Sequence, residues 1–125
     1  MKVQKSMDFG LKIILLALFF LSTYFPLAAT NFNVNTLNDT PDASPGNGVC
    51  SDPGGNCSLR AAIMEANALA GTDSIILPNG TYLLTRAGVG ENAANLGDLD
   101  ITSNIIIRGT TSRLTIIDAD SIDRV

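Results

Sequence analysis

From Thr30 to Leu37 apolar and polar positions alternate, with Phe32 and Val34 facing one way and Asn31, Asn33 and Asn35 the other. Period two over so short a run predicts a half-buried strand. Asn38 to Val49 then strings Asp, Thr, Pro, Ser and Gly together and ends in Pro45-Gly46-Asn47-Gly48, so turns are expected there. After Cys57 the period lengthens. Leu59, Ala62, Ile63 and Ala66 fall at i, i+3, i+4 and i+7 and form one apolar stripe. Ser58 is placed to cap the helix N-terminus, and Gly71 supplies a stop. Arg60, Glu65 and Asn67 lie off the stripe, which predicts a lid with a polar back. A helix of about three turns does not stand alone in water, so its stripe must lie on something apolar.

The rest of the chain offers that surface. Ile75-Ile76-Leu77 and Tyr82-Leu83-Leu84 are short apolar runs divided by the Asn79-Gly80 turn. They suit either a hairpin or two consecutive sides of a coil. Leu99-Asp100-Ile101 and Ile105-Ile106-Ile107 repeat the pairing. Leu77 to Leu99 and Leu83 to Ile105 both span 22 residues, and Leu114 to Ile117 follows after Gly109. The rhythm favours the coil. The expected class is mainly β: the start of a parallel β-helix, a solenoid, with one N-terminal amphipathic capping helix.

The first residues belong to a different pattern. Lys2, Lys5 and Lys12 precede an apolar run from Ile13 to Phe25, and Pro26-Leu27-Ala28-Ala29 follows. A positive start, a short apolar centre and a small-residue exit predict a signal peptide over residues 1–29, with the cut after Ala29. The run falls short of the roughly 20 apolar residues of a membrane span and is broken by Ser22 and Thr23, so no span is expected in the mature chain. Residues 30–125 would then be a cap with first rungs. Because solenoids need about three or more repeats, the chain is expected to be a truncated N-terminal piece of a longer secreted or cell-surface protein.

Charge narrows the partners. The whole chain carries a formal net charge of −4, and all three lysines precede residue 30. The mature part is therefore more acidic still, which disfavours nucleic acid and anionic lipid. Cys50 and Cys57 are the only cysteines, and in an exported chain they predict one disulfide. A zinc site is a poor rival, since the chain has no histidine to complete four ligands. The same absence excludes Ser-His-Asp and Cys-His catalysis within this chain. No cofactor is expected. Calcium is the one metal to weigh, at Asp39, Asp42 and Asp52, against aspartates that bond to their own backbone. Asp98 and Asp100, on one side of a strand, could hold calcium or act on a sugar, or simply pair with Arg108 or Arg113. Gly88-Val-Gly90-Glu-Asn-Ala93 matches a dinucleotide-loop string but lacks its strand–turn–helix setting.

The string Cys57-Ser58-Leu59-Arg60-Ala61-Ala62-Ile63, with Glu65-Ala66-Asn67-Ala68 after it, resembles the CSLREA domain. The likeness extends to Asp39-Thr-Pro-Asp42 and Pro45-Gly-Asn-Gly-Val-Cys50, to Asp73-Ser-Ile-Ile-Leu-Pro-Asn-Gly-Thr-Tyr82 and to Gly97-Asp-Leu-Asp-Ile-Thr102. Ala61 departs from it, standing where the pattern has glutamate, so a capping-box partner for Ser58 is missing. The resemblance implies the N-terminal region of an exported right-handed parallel β-helix protein, with the helix covering the open end of the solenoid. It transfers no catalytic residue. The expected role is non-enzymatic capping in a protein that contacts extracellular carbohydrate or a host or cell surface. The alternative is the lead-in to a polysaccharide lyase or glycoside hydrolase whose active site lies beyond this chain.

Overall fold

A computed structural model describes residues 28–122. The expected signal peptide lies outside the described residues, apart from Ala28 and Ala29. Strand β1 (Asn31–Asn33) leads through a long turn-rich segment to helix α1 (Leu59–Ala68), and four strands follow. These are β2 (Thr72–Leu77), β3 (Gly80–Leu83), β4 (Asn104–Gly109) and β5 (Thr115–Asp118). Every pairing is parallel. One sheet has the order β1-β2-β4 and the other pairs β3 with β5.

The strand positions follow the alternation. Phe32, Ile75, Leu77 and Tyr82 on the strands, with Val34 and Leu84 just beyond β1 and β3, are buried, and the residues between them are half-buried or exposed. β2 and β3 are not a hairpin. They lie in different sheets, each paired to a later strand. Helix α1 packs its stripe against β2 and β4. Leu59 is 3% exposed, and Ala62, Ile63 and Ala66 are fully buried. The helix ends at Ala68, with Leu69 as its cap, three residues before Gly71.

The expected β-helix is not what forms. The described residues make two small parallel sheets of three and two short strands, with one short helix and no closed or solenoid sheet. The 22-residue rhythm fails in register as well: Leu77 lies opposite Gly109, and Leu83 opposite Asp118. The physical reason is the stretch from Leu84 to Ser103, which contains no strand at all. Leu99 and Ile101, read as strand residues, sit in irregular backbone. Arg60 and Asn67 of the helix hold that backbone through hydrogen bonds to residues 94–102.

Candidate functional site

The polar residues of α1 are where the structure departs most from expectation. Arg60 and Glu65 were expected on a solvated back, yet both side chains are fully buried. Arg60 meets Asp39 through Nε at 2.5 Å and Nη2 at 3.2 Å. The remaining donors go to three carbonyls: Ala94 at 2.7 Å, Gly97 at 2.9 Å and Asp98 at 3.3 Å. Only 2% of the Asp39 side chain is exposed. Its Oδ2 also accepts the N–H groups of Thr85 and Arg86, at 2.7 and 3.0 Å. One ion pair therefore joins the helix, the loop after β1 and both ends of the irregular stretch. Buried charge survives only when paired and fully hydrogen-bonded, and here nearly every donor is used.

Glu65 performs the same task one turn on. Its carboxylate accepts the Gly46 N–H at 2.6 Å and the Gly48 N–H through its other oxygen. Both glycines have positive φ, +93° and +84°. That left-handed backbone aims the two amides, with one residue between them, at one anion, a conformation glycine adopts at no steric cost. Asn67 completes the set, donating to the Asp100 carbonyl at 2.7 Å and accepting from the Thr102 N–H at 2.9 Å. Each polar side chain on the helix thus holds a loop. None of this was visible in the spacing, because the partners lie in segments without a period.

The Asp39 carboxyl feels opposing forces. Burial pushes its pKa up, but the Arg60 guanidinium and the two backbone N–H groups outweigh that and hold it below its ordinary 3.8. Asp52 is also lowered, first by the Thr40 hydroxyl and then by the Asn56 and Gly54 N–H groups, against the effect of burial. Groups whose folded pKa is depressed stabilise the fold above their ordinary value, and that contribution is lost as pH falls through the folded value. Thermal stability should therefore hold steady down to about pH 4 and fall steeply below it. Melting curves from pH 6 to pH 2 check this, and a flat profile would contradict it.

The other candidates resolve one by one. Cys50 and Cys57 form the expected disulfide, with Cα atoms 5.1 Å apart. Reduction should lower stability by about 2 kcal/mol, from the entropy of the short closed loop. Urea midpoints with and without reductant at equal slope measure it. Ser58 caps the helix by accepting the Ala61 N–H at 2.9 Å, without help from a glutamate. Its hydroxyl donates in turn to the Thr40 carbonyl at 2.5 Å. Ala61 is fully buried, so the departure from the CSLREA string falls at an interior position.

Asp39, Asp42 and Asp52 do not share a site. Asp42 accepts from the Ser44 and Ser51 N–H groups, at 2.7 and 2.9 Å. Asp52 accepts from Gly54, Asn56 and the Thr40 hydroxyl. Among the described residues no group of three acidic, histidine or cysteine side chains is arranged to hold a metal ion. Asp98 and Asp100 sit in irregular backbone, their carbonyls turned to the helix. The ion pair found among the described residues is Arg60–Asp39, with neither Arg108 nor Arg113 in one. The Gly88–Ala93 string opens no helix.

Two hollows lie elsewhere. One, of about 160 Å³, is lined by Val34, Leu37, Pro78 and Tyr82. A more open one of about 350 Å³ runs along Asn31, Asn33 and Asn35 beside the disulfide. No helix among the described residues is long and apolar enough to cross a membrane. In comparisons with known proteins, no family model, curated protein or solved structure matches the chain.

Proposed function

We propose that the chain is a non-enzymatic N-terminal capping region of an exported or cell-surface protein. The observation that carries this reading is a gradient of burial across the strands. Inward positions of β1 to β3 are sealed, with Phe32 at 4%, Ile75 at 0% and Tyr82 at 3% exposure. The equivalent positions of β4 and β5, Ile105, Ile107 and Ile117, are only partly covered. Helix α1 closes one end of the apolar interior, and strands β4 and β5 leave the other end open. An open parallel edge with half-covered isoleucines is a surface for more polypeptide, and the continuation of the same protein is the occupant proposed here.

Export is supported by the residues before Thr30, by the disulfide and by the likeness of Cys57–Ala68 to the CSLREA string of exported proteins. The charged side chains of the helix are spent on holding loops, which suits a structural part rather than a reacting one.

The test uses outward-facing edge residues. Ile106 and Ile116 are 40% and 49% exposed, so lysine fits at both without disturbing the interior. The exported chain alone is expected to self-associate through β4 and β5. The double variant Ile106→Lys, Ile116→Lys should sediment as a folded monomer whose melting temperature no longer depends on concentration, since edge lysines block strand addition. A wild-type chain that sediments as a monomer and binds no apolar dye would overturn the reading.

A further inference from the structure

Asp73 is the buried charge that the helix network leaves out. It is the second residue of β2, turned inward and wholly buried. Its Oδ1 accepts the Thr30 backbone N–H at 2.8 Å, and its Oδ2 has no hydrogen-bond partner. The ion pair found among the described residues belongs to Arg60 and Asp39, so no side-chain cation among those residues serves Asp73. A buried carboxylate with a bare oxygen is costly unless a charged donor completes it.

The donor already in place belongs to the residue that directly follows the expected cut. Thr30 is fixed from its other side as well, its carbonyl accepting the Ser74 N–H at 2.8 Å. From there the parallel register begins, with Asn31 opposite Ser74. Ala28 and Ala29 are exposed, whereas Thr30 is half-buried. The Ala29–Thr30 bond thus lies where the chain leaves the surface and enters the fold.

We propose that Thr30 is the mature N-terminus, and that Asp73 captures its newly freed α-ammonium as an ion pair that pins β1 to β2. The inference rests on the export reading above. The cut is a hydrolysis by an endopeptidase of the export route. Water adds across the Ala29–Thr30 amide, the C–N bond breaks, Ala29 leaves as a carboxylate and the Thr30 nitrogen becomes –NH3+. An amide offers one N–H, but the ammonium offers three. Oδ1 therefore keeps its donor, Oδ2 gains one, and a neutral hydrogen bond becomes a charge-assisted pair. The uncut precursor, with Asp73 half satisfied, is the less stable of the two forms.

The sequence provides a clean assay. Lys2, Lys5 and Lys12 all precede the cut, so the Thr30 amine is the sole primary amine within residues 30–125, the stretch assayed. The full chain is expressed in a secreting host, the exported protein is collected, and its first residue is read by mass spectrometry. The native protein is then treated with an amine-acetylating ester. The expected results are a start at Thr30 and native labelling about tenfold or more slower than in urea-unfolded protein. Acetylation, which restores a single N–H, should lower the melting temperature of the wild type but not of Asp73→Asn. A start at another residue, equal labelling of native and unfolded protein, or an equal loss in both proteins overturns the capture. Should Asp73→Asn fail to fold, the wild type decides alone, and unchanged melting after acetylation overturns the proposal. A chain retained uncut inside the cell removes the export reading itself, whereas export with a different first residue removes only the capture.

Discussion

Arg60→Met is expected to destabilise the protein by about 3–5 kcal/mol, the usual cost of removing one partner of a buried ion pair. The loss does not come from the pair's net attraction. It comes from Asp39, whose side chain is 2% exposed and would be left charged without its counter-ion. Three carbonyls, of Ala94, Gly97 and Asp98, would lose a donor at the same time. Methionine keeps much of the aliphatic volume, so packing changes little. Adding Asp39→Asn should recover part of the loss, because the uncompensated charge is then gone. Denaturation of the two single variants and the double variant forms a cycle that reads the coupling directly. Strict additivity would mean that the two residues stabilise the fold separately.

Ile63→Asp should cost as much or more, and the chain is expected to be largely unfolded at room temperature. Ile63 is fully buried in the stripe that faces β2 and β4, where an unpaired carboxylate has no partner. Ile63→Ala is the milder companion, at about 2–5 kcal/mol for the lost side chain and the cavity left behind. Circular dichroism and urea titration measure both. A near-neutral Ile63→Asp would mean that the helix does not rest on the sheets.

Both residues sit on one helix, yet only one of them could be read beforehand. Ile63 announces itself through the spacing of Leu59, Ala62 and Ala66, because burial of a helical face leaves a period in the chain. Ser58 and the Cys50–Cys57 bridge are legible for the same reason, being local in sequence. Arg60 leaves no such trace. Its partner Asp39 is 21 residues back, in a segment of turns, and its carbonyl partners lie more than 30 residues ahead. Spacing assigned it to the solvated side, and three-dimensional context reversed that. The one available signal was chemical: a lone arginine amid small apolar residues, with an aspartate in each flanking loop. The sheets show the same split. Alternation located β1 and short apolar runs located β2 to β5, but Leu99 and Ile101 look like strand residues while belonging to backbone held by side chains. A count of residues between apolar runs cannot tell a strand from a loop of similar composition, so the inferred period, and the solenoid built on it, failed there.

Arg60, Glu65 and Asn67 each fasten a different loop to ten residues of helix. Under conditions that favour transient opening, that arrangement leaves the loops little independence. If α1 lifts away, the amides of Gly46 and Gly48 and of Thr102 lose their acceptors together, and Asp39, which holds the amides of Thr85 and Arg86, loses Arg60. Segments scattered over more than fifty positions of chain would then take up deuterium at one shared rate, as a single cooperative unit. Loops are ordinarily the first parts of a protein to exchange. Here their protection is borrowed from the helix.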